Sequence, residues 1–409
     1  MLIKTTGFTV VEGGTITTPK GFKAGGYHCG LKRSHRNDIG AIVCEVPAAA
    51  AAVYTTNAFQ AAPLKVTRES IAAEGKLQAI VVNSGNANAC TGQRGEDDAR
   101  EMRAVAARVF GMPEHLVAVA STGVIGEPLP MGKLTEGIEG LPEKVSERGA
   151  ADFCQAILTT DLRQKMICVR VDVGGRPVHI AGAAKGSGMI HPNMATMLGF
   201  ITTDAALADG ELQNLLGMAT DATFNMITVD GDTSTNDMVI ALASGLAGNT
   251  PLTSTAKDWR NFARAFGYVA EYLAKAIARD GEGATKLIEA RVIGAVSEQA
   301  ARAIAKTVVG SSLVKSAAFG ADANWGRIIA AVGRAGQEVD VNNVDIYMGE
   351  ILVLRQSRPV KFDEARALEY LKGDTIVFEI RLNMGPYRAV AWGCDLTYEY
   401  VRINAAYRT

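Results

Sequence analysis

The stretch Lys185-Gly186-Ser187-Gly188-Met189-Ile190-His191-Pro192-Asn193-Met194-Ala195-Thr196-Met197-Leu198-Gly199-Phe200-Ile201 lies near the middle of the 409-residue chain and changes character within itself. Its first half carries glycines and a proline, which are typical of a loop. From Met197 the residues are apolar over the length of a buried strand. Thr196 lies at the border, and a hydroxyl at the start of a rigid strand is well placed to be a nucleophile.

The Thr196 hydroxyl can act in two stages. It first attacks the carbonyl of Ala195, and hydrolysis of the resulting ester makes Thr196 a new N-terminus. Its free α-amine, with an ordinary pKa of about 7.7–8.0, then serves as the general base for its own hydroxyl. His191 is an alternative base. Most threonines at loop-to-strand borders only cap or pack, so the pattern alone leaves both interpretations open.

A second segment of interest is Ser121-Thr122-Gly123, which follows the apolar run 116–120. A glycine at a strand end lets its backbone N–H face a cavity, and the threonine adds a hydroxyl donor. Together they can stabilise the negative oxygen of a tetrahedral intermediate. An ordinary turn is the alternative interpretation of the same residues.

Composition excludes several functional classes. The chain is 48% hydrophobic with a net charge of -1, and it has no clustered basic face of the kind that binds nucleic acid. No apolar run reaches membrane-spanning length, and the N-terminus lacks the apolar region of a signal peptide. Six cysteines without CxxC spacing and five histidines without an HExxH pattern predict reduced thiols, a cytoplasmic location and no metal. Lys185 precedes its glycines, so the segment is not a P-loop.

Several long motifs occur in one order along the chain. They are the central stretch 185–200, Asn83-Ser84-Gly85-Asn86-Ala87-Asn88, Ser121-Thr122-Gly123-Val124-Ile125-Gly126, the run 224–237, and Asn404-Ala405-Ala406-Tyr407-Arg408-Thr409. With these motifs the chain resembles the ornithine acetyltransferase family, also called bifunctional glutamate N-acetyltransferase. The resemblance extends over essentially the whole sequence.

The resemblance implies an α/β fold, a layered sandwich of helices enclosing β-sheets of the self-processing, N-terminal-nucleophile type. It implies cleavage between Ala195 and Thr196. Residues 1–195 would become an alpha chain and residues 196–409 a beta chain. The two fragments would stay associated and pair into an alpha2beta2 heterotetramer.

The resemblance also assigns roles to single residues. Thr196 is the nucleophile, and Thr122 and Gly123 form the oxyanion hole. Glu282, which would by default be an exposed turn residue between two glycines, becomes an active-site carboxylate. The residues implied to contact substrate are Thr160, Lys185, Thr196, Glu282, Asn404 and Thr409. At Leu162 many relatives carry a threonine, so the sequence departs from the family pattern near Thr160.

The implied reaction moves an acetyl group from N2-acetylornithine to glutamate through an acetyl-Thr196 intermediate, with ping-pong kinetics. One amide is exchanged for a similar amide, so the chemistry needs neither ATP nor a metal. No cofactor is expected, although acetyl-CoA is a possible co-substrate. Two alternatives are a self-cleaving aminopeptidase of related fold and a non-catalytic, oligomeric amino-acid-binding protein.

Local patterns predict the surrounding elements. Gly174-Gly175 predicts a hairpin turn, Gly111 the end of a helix, and Asp209 and Ser297 the N-caps of helices. Gly25-Gly26 is interpreted as part of a turn. Strands are predicted over 41–54, 78–82, 116–120, 166–173, 178–183, 196–203 and 285–294, and helices over 95–110, 150–158 and 210–223.

Overall fold

A computed structural model describes residues 4–191 and 197–406. The chain divides into two compact units. Unit 1 comprises Met1–Gly186, Asn193–Asn225 and Thr233–Leu273, and unit 2 comprises Ser187–Pro192, Met226–Asp232 and Ala274–Thr409. The two units do not coincide with the predicted alpha and beta chains, 1–195 and 196–409. Those chains are defined by cleavage of one peptide bond, which stays a prediction.

Within the described residues, unit 1 contains a sheet of ten strands. The strands are β1 Lys4–Thr5, β2 Phe8–Val10, β3 Phe22–Tyr27, β4 Ile39–Tyr54, β5 Lys76–Asn86, β6 Val117–Val124, β7 Lys165–Val173, β8 Arg176–Lys185, β9 Leu198–Thr203 and β10 Met238–Ala243. Their order is β1-β2-β7-β8-β9-β10-β4-β5-β6, and β3 also pairs with β4. The pairs β5–β6 and β9–β10 are parallel, whereas the other pairs are antiparallel.

Helices cover this sheet. They are α1 Ala62–Glu74, α2 Gly92–Phe110, α3 Met131–Glu139, α4 Ala150–Ile157, α5 Glu211–Ala222 and α6 Trp259–Arg279, of which α6 continues into unit 2. Side chains of β4 and β5 alternate between two apolar clusters. One cluster joins them to α1, α2 and α3, and the other joins them to β8, β9, β10 and α4. Alternation places successive residues on opposite faces, so both faces of β4 and β5 are buried. The layered α/β fold is thereby confirmed.

Most predicted strands of unit 1 are confirmed, with longer bounds. β7 and β8 form the predicted hairpin, and both turn glycines have positive φ, 60° at Gly174 and 75° at Gly175. The turn predicted at Gly25-Gly26 is wrong, because both residues belong to β3. Glycine is needed in this strand for close packing, since a Cβ at Gly25 would overlap the backbone of Lys144.

The helix predicted over 95–110 is α2, and it ends at Gly111 in the left-handed conformation, as expected for a C-terminal glycine. The cap predicted at Asp209 is wrong. The N-cap residue of α5 is Gly210, with φ of 79°, so this helix begins without a side-chain cap. The positive φ favours glycine at this position over a residue that caps with its side chain.

The described residues of unit 2 contain a second sheet. Its strands are β11 Leu287–Ala295, β12 Asp345–Met348, β13 Ile351–Arg355, β14 Arg358–Pro359, β15 Thr375–Arg381 and β16 Tyr387–Cys394, in the order β14-β13-β12-β15-β11-β16. The helices that follow α6 are α7 Glu298–Val309, α8 Ser312–Phe319, α9 Trp325–Gly333, α10 Glu364–Leu371 and α11 Tyr398–Ala405. Helix α7 packs on β11 and β16.

Ser297 is the N-cap of α7, as predicted, and its side chain accepts a hydrogen bond from the backbone N–H of Ala300. Replacing Ser297 with alanine is expected to lower the free energy of unfolding by about 1 kcal/mol, because one N–H of the first turn loses its partner. Denaturant unfolding measures this change. Ser297→Asp keeps an acceptor and is the control. Equal stability of Ser297→Ala and the parent protein would contradict the capping role.

Candidate active site

The predicted oxyanion pair, Thr122 and Gly123, lies near the end of β6, beside the end of β5. These parallel strands place Ser84 opposite Thr122 and Gly85 opposite Gly123. Gly123 has φ of 137°, and a Cβ at this position would overlap the backbone of Gly85. Only glycine satisfies both conditions. The close approach of the two backbones therefore explains the glycine at position 123 in structural terms, independently of its predicted chemistry.

A chain of buried polar side chains holds the end of β6 in place. The Nδ2 of Asn236 donates to the backbone oxygens of Ala87, at 2.6 Å, and Ser121, at 2.8 Å. The Ser121 hydroxyl donates to Oδ1 of Asn83 at 2.6 Å. Satisfied polar networks of this kind fix one geometry, because breaking any member leaves a buried group unpaired. Thr122 is thus attached to a rigid support.

Lys185 ends β8 and is only 3% exposed, in contrast to the solvated lysine that a loop position suggests. Its Nζ donates to the Thr122 hydroxyl at 3.3 Å and to the Thr159 hydroxyl at 2.9 Å. These contacts bring two predicted site residues together within unit 1. They also involve Thr159, the neighbour of the predicted Thr160.

The turn after Thr159 is organised by a buried ion pair. Asp161 Oδ1 accepts from Lys165 Nζ at 2.7 Å and from the Gly186 N–H at 2.6 Å, while Oδ2 accepts from the Thr159 N–H at 3.1 Å. Burial alone would raise the pKa of Asp161, but the charges of Lys165 and Lys185 and these hydrogen bonds outweigh it and hold the pKa well below its ordinary value. Asp161 is therefore ionised. It positions Thr159, which contacts Lys185, and Gly186, which follows Lys185 in the chain.

Lys32 adds a further positive charge near this group. Its Nζ donates to the carbonyls of Leu158, at 2.6 Å, and Asn37, at 2.8 Å. Burial lowers the pKa of Lys32 to about 8, and Lys185 contributes to the lowering, whereas the charges of Asp38 and Asp161 oppose it. A region with several buried cations favours an anionic ligand group such as a carboxylate.

In unit 2 the predicted residues Glu282 and Asn404 are in contact. Asn404 Nδ2 donates to Glu282 Oε2 at 2.8 Å, from helix α11. Glu282 is 7% exposed, and its backbone N–H donates to the Ser187 carbonyl at 3.0 Å. A Cβ at Gly188 would overlap the Glu282 carboxylate, so a larger residue here would displace that carboxylate. Asn404 is placed by helix α11.

Asp230 anchors the loop that follows Ser187. Its carboxylate accepts from the backbone N–H groups of Met189, at 2.6 Å, and Ile190, at 2.9 Å, and from the Tyr400 hydroxyl at 3.3 Å. His191, the alternative base, lies 3.0 Å from the Thr228 hydroxyl. Burial and the charge of Lys306 lower the pKa of His191 to about 4, so its imidazole is a weak base near neutral pH.

The predicted site residues thus form two groups, each within its own unit. Unit 1 brings together Thr122, Gly123 and Lys185, and unit 2 brings together Glu282 and Asn404. Ala195, Thr196 and Thr409 lie outside the described residues. Sequence reasoning missed Thr159, Asp161, Lys165 and Asn236.

Residues 4–191 and 197–406 contain no group of three or more His, Cys, Asp or Glu side chains suited to hold a metal ion. Among the helices described, none has the length and apolar character needed to cross a bilayer.

Comparison with known proteins identifies the family of this chain. The model of the ArgJ family matches residues 23–409. The arginine biosynthesis bifunctional protein ArgJ of Halalkalibacterium halodurans is 59% identical over 400 residues, covering 98% of this chain and 97% of that protein. The ArgJ protein of Bacillus anthracis is 57% identical over 408 residues, covering 100% of both chains. The crystal structure of ornithine acetyltransferase from Mycobacterium tuberculosis, complexed with ornithine, aligns with a TM-score of 0.42 and 32% identity, covering 46% of this chain and 98% of that one. By the extent of the family match and of these two sequence alignments, the chain belongs to the ArgJ family.

Proposed function

We propose that this protein transfers an acetyl group from N2-acetylornithine to glutamate through an acetyl-Thr196 intermediate, in arginine biosynthesis. The observation that carries the proposal is the contact of Lys185 with Thr122 beside Gly123. It puts a buried cation next to a hydroxyl and a backbone N–H, which suits a substrate with a carboxylate close to the reacting carbonyl. The names of the ArgJ relatives support the same assignment.

Activation is proposed to precede turnover. The Thr196 hydroxyl attacks the Ala195 carbonyl carbon, the peptide C–N bond breaks, and the proton of the hydroxyl ends on the departing nitrogen. Water then hydrolyses the ester. Residues 1–195 gain a terminal carboxylate, and residues 196–409 begin with the free amine of Thr196.

Transfer then follows in two halves. The Thr196 amine takes the proton of its own hydroxyl, and the oxygen attacks the acetyl carbon of N2-acetylornithine. Thr122 and Gly123 stabilise the oxyanion, the C–N bond breaks, and the proton moves to the nitrogen of the leaving ornithine. The glutamate amine next attacks acetyl-Thr196, which restores the hydroxyl and gives N-acetylglutamate.

The grouped side chains are assigned to the amino-acid part of the substrate. Lys185 holds the carboxylate together with Thr160, the sequence neighbour of the Thr159 that Lys185 contacts, and Glu282 pairs with the ammonium group. Asn404 orients Glu282, and Thr409 completes the set at the chain end. No cofactor takes part in these steps.

Initial-rate kinetics test the transfer. Varying N2-acetylornithine at several fixed glutamate concentrations is expected to give parallel double-reciprocal lines, because the first product leaves before the second substrate reacts. Intersecting lines would contradict an acetyl-enzyme. The names of the relatives call those proteins bifunctional, and a second activity is proposed here, in which acetyl-CoA donates the acetyl group. Incubation with acetyl-CoA and glutamate alone tests it by the appearance of N-acetylglutamate.

Replacing Asn404 with alanine is expected to raise KM for N2-acetylornithine about tenfold, because a hydrogen bond to the charged Glu282 is lost at a partly exposed position. Steady-state kinetics measure the change, and kcat is expected to fall less. Val401→Ala removes an exposed side chain from the same helix and is the control. An unchanged KM in Asn404→Ala would contradict the assigned contact.

A further inference from the structure

The carboxyl group of Asp237 is buried without a hydrogen-bond partner. Asp237 is 2% exposed, and neither carboxyl oxygen makes a hydrogen bond within residues 4–191 and 197–406. Burying an unpaired polar group costs about 1–3 kcal/mol, and more when the group is charged. A protein that keeps such a group forgoes stability at that position, which is a common property of functional sites.

The position of Asp237 is fixed by its backbone. Its carbonyl accepts from the Thr55 N–H at 2.9 Å, and the next residue, Met238, donates to the Met197 carbonyl at 3.1 Å. The preceding residue, Asn236, is attached to β6 through the Ser121 carbonyl. Held from both sides in this way, the side chain has little freedom to find a partner elsewhere.

Asp237 lines the same small cavity as the predicted oxyanion residue. The cavity has a volume of about 10 Å³ and is lined by Thr122, Lys185, Met197, Leu198, Asn236 and Asp237. This volume corresponds to roughly one water-sized group. Met197 directly follows Thr196 in the chain. The carboxyl group therefore shares its surroundings with Thr122 and with the start of the strand that follows the proposed nucleophile.

The surroundings favour the neutral form of this carboxyl. Burial raises the pKa of Asp237 well above its ordinary value, and the opposing charge of Lys185 does not cancel the rise. Lys185 is the charged side chain that acts on it. A neutral carboxylic acid is a hydrogen-bond donor, and a protonated aspartic acid in an apolar site is an established kind of oxyanion donor.

We propose that Asp237 is a catalytic hydrogen-bond donor that, together with Thr122 and Gly123, stabilises the oxyanion of the acyl-transfer steps. The inference rests on the proposed function, because it requires that a tetrahedral oxyanion forms at this cavity. Asp237 donates a hydrogen bond and keeps its proton, so the atom balance of the transfer is unchanged. The same donor serves self-cleavage, whose intermediate is also an oxyanion.

Two substitutions test the role. Asp237→Leu removes the donor at similar volume and is expected to lower kcat, and the rate of self-cleavage, about 100-fold, as for the loss of one oxyanion donor. Its thermal midpoint is expected to stay level or rise, because an unpaired buried polar group is replaced by an apolar one. Asp237→Asn keeps an N–H donor, and its kcat is expected to stay within about tenfold of the parent protein.

Thr220→Val is the matched control, since the buried hydroxyl of Thr220 on α5 likewise has no hydrogen-bond partner among the residues that the structure describes. Its kcat is expected to stay unchanged. Near-normal kcat in Asp237→Leu would overturn the proposal. An Asp237→Asn variant that folds but is as slow as Asp237→Leu would also overturn it. Activity would then depend on the charge of the Asp237 carboxylate and not on a hydrogen-bond donor at this position.

Infrared difference spectra of the parent protein minus Asp237→Asn decide the case if Asp237→Leu fails to fold. The C=O stretch of a protonated carboxylic acid at neutral pH is the expected result, and carboxylate bands alone would overturn the proposal. This readout is independent of turnover. An acid band in a protein that neither cleaves itself nor transfers acetyl groups would refute the proposed function while leaving the neutral state of Asp237 established.

Discussion

Replacing Thr196 with alanine is expected to leave the 409-residue chain uncut and to abolish acetyl transfer. The substitution removes the hydroxyl that attacks Ala195 and, in the mature protein, the same oxygen that carries the acetyl group. It also prevents release of the α-amine that serves as base. A denaturing gel and intact mass measure cleavage, and N-acetylglutamate formation measures transfer.

Thr196→Ser is the matched control, because it keeps a hydroxyl and gives an N-terminal amine after cleavage. It is expected to be cut and to retain transfer at a lower rate. If Thr196→Ala were cut at the same bond, the proposed nucleophile of self-cleavage would be wrong. If it were uncut but still formed acetyl-enzyme, the proposed acetyl carrier would be wrong.

The second large effect is expected at Asp161. Asp161→Asn leaves the Lys165 ammonium buried with its ionic partner removed, since their side chains are 0% and 1% exposed. Breaking one partner of a buried pair costs about 3–5 kcal/mol. The free energy of unfolding is expected to fall by this amount in denaturant titrations. Asparagine keeps one acceptor oxygen, so one of the two backbone contacts, to Gly186 or to Thr159, is lost as well, and transfer is expected to fall with it.

Glu139→Gln is the control for the ion pair. Glu139 contacts Arg108 at 2.7 Å on the surface, where both side chains are about half exposed or more. Such pairs contribute about 0–1 kcal/mol. The double variant Asp161→Leu with Lys165→Met removes both charges and is expected to recover much of the lost stability. Equal effects of Asp161→Asn and Glu139→Gln would contradict the buried-pair account.

The pH dependence of stability has a defined sign for Asp161. Its pKa is lower in the folded protein than in the unfolded chain, where it is about 3.9. The ionised form is therefore favoured by folding, and the contribution is fully present above the unfolded pKa. It is lost as the pH falls below about 4 toward the folded pKa. The stability difference between the parent protein and Asp161→Asn is expected to shrink in that range.

Local signals predicted much of the fold. The Gly174-Gly175 turn, the end of α2 at Gly111 and the cap at Ser297 depend on the conformations of a few adjacent residues, and each is found in the structure. The turn predicted at Gly25 is wrong because the conformation there does not depend on adjacent residues alone. Its strand position is set by the approach of the Lys144 backbone, which lies far away in sequence.

The candidate site was predictable only in part. Thr122, Lys185, Glu282 and Asn404 came from motif resemblance, and the structure pairs Thr122 with Lys185 and Glu282 with Asn404. Asp161 carries no local signal, because its significance depends on burial beside Lys165. Asp237 lies in a run dense in polar residues, which is typical of a hydrogen-bonded turn, and only the folded strands reveal that its carboxyl is enclosed.

Intact mass spectrometry of the purified protein, before and after N2-acetylornithine is added without acceptor, tests the central claim most directly. The account predicts two fragments, residues 1–195 and 196–409. The second is expected to gain one acetyl group on its N-terminal threonine and to lose it when glutamate is added. A single uncut chain that is fully active, or an acetyl group on any other residue, would contradict it.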